Sequence, residues 1–314
     1  MVSLSAVAHV FRRHLTVSRP FSLKGTVLGY GYYQLPPVQW DGSVLRRAEP
    51  LDGRVSLLEV RERAVRSSKQ AEVRVSIFSD VPRPFTAQEE LVRRTRTMLR
   101  LDEDLRGFYA LCRREPRLRL VPRLGLGRLL RGTSLFEDLV KTIAWTNTTW
   151  LQAVRMIRRL GDLGDPCPIA PMCRTWPSPA RILEAGSRYL EREARLGYRV
   201  PYILELAERV ITGDLDLAEI EGTHDSGERA RTLLRIKGVG PASVAYLQAM
   251  LGHYDRPVLD SATLAYLATA HFRRRPTARQ VERRIARYGR WKGLALWFDY
   301  WIGSGRGKQY GLVR

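Results

Sequence analysis

The chain has 314 residues, and its 53 Lys and Arg residues against 32 Asp and Glu residues give a formal net charge of +21. That length suffices for one large domain or two modest ones, each with its own core. The sequence contains no run of about eighteen apolar residues, which excludes a membrane-spanning helix and a membrane partner. Its three cysteines are too few for a disulfide framework. We therefore expect an intracellular protein, cytoplasmic or, in a bacterium, associated with the nucleoid.

Most of the excess positive charge is arginine, whose planar guanidinium suits phosphate oxygens. A polyanion partner is one explanation of this charge. The other explanation is a proteome in which arginine is common everywhere, and composition alone does not separate the two.

The first eighty residues have the pattern of a small antiparallel sheet. Val73, Val75 and Ile77 alternate with polar residues, which predicts a half-exposed strand, and residues 55–60 form a neighbouring strand. Two prolines in 79–85 mark a boundary, so we predict an N-terminal sheet domain over 1–85 and a helical domain over 86–314. Just past the boundary, Thr86 and Glu89 predict a capping box at the start of a helix.

Helical periodicity continues to the C-terminus, so the fold class is mainly α with a small N-terminal sheet. Ser134 and Glu137 repeat the capping signature ahead of a helix through Ile143. Further helices are predicted at 180–195, 202–212, 228–234, 242–251, 261–270, 278–288 and 292–302. The tail 303–314 is polar, rich in glycine and cationic, and we expect it to be mobile.

The most informative segment is a tight turn between two helices, within 228–251. The turn reads Lys-Gly-Val-Gly-Pro over 237–241, and the glycines permit a positive φ and leave the backbone amides bare. Those amides and the N-terminus of the second helix would together attract a phosphate. A simple helical corner is the alternative reading of a single Gly-x-Gly.

Asp260 lies twenty residues after Gly240, in an apolar stretch directly before a predicted helix. An aspartate in that position is most often a helix N-cap. The combination of this hairpin with an aspartate at this distance, however, resembles the helix-hairpin-helix (HhH-GPD) DNA glycosylase superfamily. The resemblance implies that Asp260 is the catalytic carboxylate and that the fold is a helix-hairpin-helix DNA glycosylase fold.

Other segments extend the resemblance over about residues 100–301, and it is closest to the 8-oxoguanine and 3-methyladenine glycosylase branch. By this resemblance Asn147 fills the gap left by an extruded base, Tyr198 wedges into the base stack, and Arg199 faces the estranged base. Trp145 and Trp297 correspond to residues that line the base pocket. We expect three other tryptophans of this region to be core residues, namely Trp150, Trp291 and Trp301.

The resemblance also predicts contacts to the DNA backbone. Lys237, Gly238, Gly240 and Ala242 of the hairpin would contact phosphate, and the backbone carbonyls of Leu234, Ile236 and Val239 would hold a structural Na⁺ or K⁺. We expect other basic residues near the site to neutralise phosphates as well. These are Arg128, Arg131 and the run 273–275.

Several family features are missing from this sequence. Ala242 stands where many relatives carry a lysine that attacks the sugar, which predicts a monofunctional enzyme without lyase activity. Gly293 stands where 8-oxoguanine enzymes place a glutamine. The four cysteines of an iron-sulfur loop are absent, so we expect no cluster and no required cofactor.

The function predicted from the resemblance is a glycosylase of base excision repair. It would act as a monomer on double-stranded DNA, flip out a damaged base such as an alkylated purine, and hydrolyse its N-glycosidic bond. Two alternatives stay open: a helix-hairpin-helix protein that binds DNA without chemistry, and an 8-oxoguanine type of glycosylase/lyase.

Overall fold

A computed structural model describes residues 9–65, 67, 69–309 and 311–312. The first eight residues of the predicted N-terminal domain lie outside the described residues. Among the residues described, no helix combines the length and the apolar character that crossing a bilayer requires.

A five-stranded antiparallel sheet forms the N-terminal part of the chain, with the strand order β1-β5-β4-β3-β2. The predicted pairing of 55–60 with 73–77 is confirmed, because Val60 lies opposite Val75 in neighbouring strands. The strands are β1 (His9–Ser18), β2 (Gln39–Trp40), β3 (Val44–Leu51), β4 (Arg54–Arg63) and β5 (Gln70–Ser79).

Both faces of this sheet are covered. Leu15, Val73 and Val75 belong to the main hydrophobic core that they share with the helices. On the other side, Leu57 packs with the cysteines of a two-stranded hairpin made of β6 (Pro166–Cys167) and β7 (Ala170–Arg174). The sheet is therefore a layer between the helices and this small hairpin.

Helices make up most of the remainder. Between β1 and β2 lies α1 (Leu23–Leu28), and α2 begins at Phe85. The helices after the sheet are α2 (Phe85–Leu99), α3 (Arg106–Arg114), α4 (Leu120–Arg123), α5 (Leu135–Ala144), α6 (Trp150–Gly161), α7 (Pro179–Arg192), α8 (Val200–Thr212), α9 (Leu217–Gly222), α10 (Ser226–Leu234), α11 (Pro241–Met250), α12 (Ser261–Leu267), α13 (Ala278–Ile285), α14 (Lys292–Gly303) and α15 (Arg306–Gln309).

One of the two predicted capping signatures is wrong. At α5 the Ser134 hydroxyl accepts from the Glu137 amide at 3.3 Å, which is one half of the predicted capping box. The other half is not formed, because the Glu137 carboxylate bonds Arg47 and Lys141 instead. At α2, however, the N-cap is Pro84, which makes no side-chain cap, and the helix begins two residues too early for Thr86 to be its N-cap. Glu89 pairs with Arg13 on β1 instead.

A buried ionic network joins the sheet to α5. Lys141, which is fully buried, donates to Glu137 Oε1 at 2.5 Å, and Arg47 of β3 donates to Glu137 Oε2 at 2.7 Å. Burial alone would raise the pKa of Glu137, but the neighbouring Arg47 and Lys141 lower it to about 2. Burial lowers the pKa of Lys141 to about 8. The partners satisfy one another, which is the condition for burying charge at all.

Arg128 and Arg131 belong to the interior, which contradicts their predicted contact with phosphate. Each is 2% exposed. The Arg131 guanidinium donates to Asp138 Oδ2 at 2.8 Å, and that of Arg128 donates to the Arg100 carbonyl at 3.0 Å. Residues 273–275 are exposed, and their contact with DNA stays a prediction.

Candidate active site

The turn between α10 and α11 forms the predicted hairpin, and its two glycines differ. Gly238 has a φ of +84°, and a Cβ there would lie 2.8 Å from Tyr202 and 3.2 Å from Ile143, so only glycine fits. Gly240 is the N-cap of α11 with a φ of −98°, and a Cβ there would have nothing within 4 Å. Of the two glycines, only Gly238 therefore adopts the positive φ that the sequence permits, and Gly240 instead leaves open space in front of the helix.

The other hairpin residues are compared with their predicted contacts to phosphate and to a cation. Lys237 pairs with Glu205 of α8 at 2.7 Å. Ala242 lies in the first turn of α11, where it brings no amine to the site. The Ile236 carbonyl accepts from the Val239 amide at 3.1 Å, and the binding of a cation by the carbonyls of Leu234, Ile236 and Val239 stays a prediction. The described residues contain no cluster of three His, Cys, Asp or Glu side chains that could hold a metal ion.

Asp260 precedes α12 and each of its carboxylate oxygens has a donor. Oδ1 accepts from the Thr263 amide at 2.7 Å, so Asp260 is the N-cap of α12, as its position in the sequence predicts. Oδ2 accepts from the Tyr246 hydroxyl at 2.7 Å, which a cap does not require. Burial, followed by the negative charge of Asp260, raises the pKa of Tyr246 well above 10, so this hydroxyl stays protonated at neutral pH. The carboxylate is thus fixed in orientation by two donors from different helices.

Tyr246 also lines a cavity of about 590 Å³. Aromatic rings dominate its wall, and they contact one another mostly edge to face: the Tyr246 ring centroid lies 5.6 Å from that of Trp145 and 6.4 Å from that of Trp297. The cavity is lined by Tyr30, Gly31, Tyr32, Tyr33, Gln34, Trp145, Thr148, Trp150, Ala153, Tyr246, Trp297, Arg306 and Gln309. Asp260 is not among them, and it reaches this wall through Tyr246.

The predicted pocket residues Trp145 and Trp297 both line this cavity, and Trp291 and Trp301 are buried as expected. The prediction for Trp150 is wrong, because Trp150 is 40% exposed and lines the cavity as well. Its indole Nε1 donates to Gln34 Oε1 at 3.1 Å, so a residue from the N-terminal part of the chain holds the ring in place.

Residues far apart in sequence complete the cavity. Tyr30 is buried, and among the described residues nothing hydrogen-bonds its hydroxyl. Arg306 and Gln309 come from α15, a short helix within the tail that the composition predicts to be mobile. The Arg306 guanidinium lies 4.9 Å from the centroid of the Tyr300 ring, which places the charge at the cavity wall. The dense tyrosines over 30–33 are the one sequence signal that points to this region.

Gly293, at the start of α14, leaves no room for a longer side chain. A Cβ there would lie 2.4 Å from the Arg256 carbonyl oxygen and 2.8 Å from that of Tyr254. One turn later Trp297 donates from Nε1 to the Gly29 carbonyl at 2.9 Å. The wall of the cavity on this side is therefore a tryptophan locked to the N-terminal part of the chain.

Beside the cavity, Asn147 and Tyr198 lie in contact. The Asn147 amide donates to the Tyr198 hydroxyl at 3.3 Å, and Tyr198 is 51% exposed. Arg199 does not face outward as predicted, because it is 6% exposed. Its guanidinium donates to the Leu196 carbonyl at 3.2 Å and to the Thr146 carbonyl, and it lies 4.4 Å from the Tyr198 ring centroid. These bonds attach Arg199 to the loop that carries Asn147, and its contact with the estranged base stays a prediction.

Comparison with known proteins gives matches among solved structures only. No protein-family model matches the sequence, and neither does any curated protein. The 3-methyladenine DNA glycosylase from Archaeoglobus fulgidus is 21% identical, with 94% of this chain and 98% of that chain covered and a TM-score of 0.72.

Two further structures are similar and were solved with DNA. The Clostridium acetobutylicum 8-oxoguanine glycosylase/lyase, in complex with double-stranded DNA containing cytosine opposite 8-oxoguanine, is 16% identical over 98% of this chain and 99% of that chain, with a TM-score of 0.68. The 3-methyladenine DNA glycosylase of Schizosaccharomyces pombe in complex with abasic DNA is 18% identical over 62% of this chain and 94% of that one, with a TM-score of 0.51. These likenesses confirm the predicted architecture: the chain has the helix-hairpin-helix DNA glycosylase fold.

Proposed function

We propose that this protein is a monofunctional DNA glycosylase of base excision repair that removes alkylated purines, with Asp260 as its catalytic carboxylate. One observation carries the proposal. A carboxylate fixed by two donors is one hydrogen bond away from an aromatic cavity, and the helix that carries Tyr246 begins at the hairpin without a side-chain cap on its N-terminus. The similar structures, which are named as DNA glycosylases, support the part of the proposal that makes this protein a DNA glycosylase.

The cavity suits a base that has left the duplex. Extruding a nucleotide costs a few kcal/mol of stacking and pairing, and residues that fill the gap offset that cost. Tyr198 is exposed and in contact with Asn147, so this pair is available to fill it. At the same time the amides around Gly240 and the N-terminus of α11 would hold a phosphate beside the extruded nucleotide.

The aromatic rings of the cavity favour a base that carries positive charge. Alkylation of a purine ring nitrogen makes the base cationic, and a cation is attracted to the faces of Trp and Tyr rings. The side chains of Tyr30, Trp145, Tyr246 and Trp297 supply such faces. The Arg306 guanidinium at the same wall would repel a cationic base, so the preference for a cation depends on the rings alone. Gly293 leaves no space for the glutamine of 8-oxoguanine enzymes, which argues against that substrate.

Asp260 would act on the sugar. Cleavage of the glycosidic bond develops positive charge on the sugar, which a nearby carboxylate stabilises electrostatically. A cationic base leaves as a neutral molecule and needs no proton from the enzyme, so a carboxylate without an acid partner is sufficient. The Tyr246 hydroxyl would hold the carboxylate in position through the reaction.

The surroundings favour hydrolysis without lyase chemistry. A lyase needs an amine that can attack the sugar, but Ala242 occupies the hairpin position and no lysine is among the described residues that line the cavity. Lys141 is fully buried and ion-paired with Glu137, so it is not free to attack.

The test is a panel of duplex oligonucleotides with 3-methyladenine-type, 7-methylguanine, 8-oxoguanine, hypoxanthine or uracil lesions. We expect the alkylated purines to be released, with strand breaks only after hot alkali, and no covalent complex after borohydride reduction. Asp260→Asn should abolish the breaks. Trapping of a covalent complex, or release of 8-oxoguanine alone, would contradict the proposal.

A second candidate, DNA binding without chemistry, is favoured by the hydrogen bond from the Thr263 amide, since Asp260 is a complete N-cap. Binding of every duplex in the panel without release of any base would support it.

A further inference from the structure

A second concave surface lies next to the aromatic cavity. This cleft has a volume of about 630 Å³ and is formed by α6, the end of α7 and the loop that follows α7. Four exposed arginines line it, against a single carboxylate: Arg155, Arg159, Arg192 and Arg195, with Glu193. Its net charge is therefore strongly positive, and four guanidinium groups in one cleft repel each other unless an anion lies between them.

Internal ion pairs do not explain this arginine cleft. Among the described residues, no carboxylate lies within ion-pair distance of Arg155, Arg192 or Arg195, and Arg159 has only a long contact of 3.6 Å to Asp162. Arg195 moreover has a φ of +55°, a conformation that costs free energy in a residue with a side chain. The four guanidinium groups of the cleft are exposed and lack a close carboxylate partner, so they are available to an external anion.

The position of the cleft indicates which DNA strand would supply the anion. Thr148 lines both the aromatic cavity and the cleft, and Asn147 and Tyr198 line the cleft. The two predicted gap-filling residues thus stand at the border between the site for the extruded base and the cleft. None of the hairpin residues 237–242 lines the cleft. The strand that carries the lesion would be held by the hairpin, so the cleft is left for the other strand.

We propose that the arginine cleft binds the sugar-phosphate backbone of the strand opposite the extruded base. This inference rests on the proposed function, because it takes the aromatic cavity as the site of that base. Guanidinium groups bind phosphate oxygens in two-pronged hydrogen bonds, and each phosphate neutralised adds to the salt dependence of binding. The consequence is that the protein binds the backbones of both strands, with Asn147 and Tyr198 between them.

The test compares R155Q/R192Q with the control R93Q/R106Q, which removes two exposed arginines from α2 and α3, neither of which lines the cleft. Affinity is measured against salt on a duplex with one reduced abasic site. Each phosphate contact contributes about 0.9 to the slope of log affinity against log salt, so the slope of R155Q/R192Q should fall by about 1.8. The control should keep the slope of the wild type. An unchanged slope for R155Q/R192Q would overturn the proposal.

Neutral methylphosphonate linkages then identify the strand. In the strand opposite the abasic site they should weaken binding of the wild type and leave R155Q/R192Q unaffected, whereas in the abasic strand they should weaken both proteins equally. The reverse pattern would place the lesion strand in the cleft and overturn the proposal. Base release is measured separately on an alkylated duplex. If the wild type releases no base, the proposed function fails, while these binding data still decide what the cleft binds.

Discussion

Replacing each hairpin glycine by alanine should separate folding from DNA binding. In Gly238→Ala the new Cβ would lie 2.8 Å from Tyr202 and 3.2 Å from Ile143, in a residue with a φ of +84°. A left-handed backbone costs about 1–2 kcal/mol for alanine, and the overpacking adds about 1–3 kcal/mol. The free energy of unfolding should therefore fall by about 2–5 kcal/mol.

Gly240→Ala should change stability little. Its backbone is extended and its Cβ would meet nothing within 4 Å, so the lost freedom of the unfolded chain stabilises the fold by about 0.4–1 kcal/mol. Alanine is a poorer N-cap than glycine by a similar amount, so the free energy of unfolding should change by less than about 1 kcal/mol. The methyl group would, however, stand in front of the amides that we expect to bind phosphate, and the affinity for duplex DNA should drop. Urea denaturation and fluorescence anisotropy with a labelled duplex measure the two effects. The reasoning is refuted if Gly240→Ala binds DNA as the wild type does, or if both variants lose equal stability.

Three other predictions concern the cavity and the buried charges. Trp150→Ala should weaken binding of a damaged duplex about tenfold and change Tm little, because Trp150 lines the cavity and is partly exposed. Trp301→Ala, at a buried position, should lower the free energy of unfolding by about 3–5 kcal/mol. Equal Tm values for the two variants would contradict this. Gly293→Ala should unfold the protein in less urea, because of the close Arg256 carbonyl, and an unchanged midpoint would disprove the tight fit. Burial lowers the pKa of Lys141 to about 8, so above that pH the unfolded state binds more protons than the folded state. From pH 8 to 9.5 the free energy of unfolding of the wild type should therefore rise by about 2 kcal/mol relative to that of Lys141→Met. A parallel pH dependence of the two unfolding free energies would refute this.

The parts that sequence predicted well are those set by local chemistry. Period-two alternation in 73–77 depends on neighbouring residues only, and it predicted β5. The hairpin and the helix that follows Asp260 lie within one short stretch of chain, where turn residues and capping chemistry predict them. The fold was predicted from the family resemblance that these residues carry, and the catalytic role of Asp260 stays a prediction.

Contacts between segments that lie far apart in the chain could not be predicted from the sequence. Tyr246 carries the second hydrogen bond of Asp260, yet α11 is buried on most of its surface, so hydrophobic periodicity does not indicate which side faces a cavity. Trp150 is kept at the cavity by Gln34, more than a hundred residues earlier. Arg131 is an ordinary basic residue in the sequence and becomes internal only because Asp138 and Glu221 reach it.

The central claim is that the Asp260 charge, and not its capping role, is what the protein needs. Asn caps a helix about as well as Asp, so Asp260→Asn should keep the Thr263 hydrogen bond and shift Tm little. The decisive measurement is the single-turnover rate of base release from an alkylated purine duplex, at saturating protein, for the wild type and this variant. We predict a loss of at least about 100-fold, the size expected when a fixed charge is removed from a transition state. A variant that folds, binds the duplex and releases the base at the wild-type rate would contradict the account.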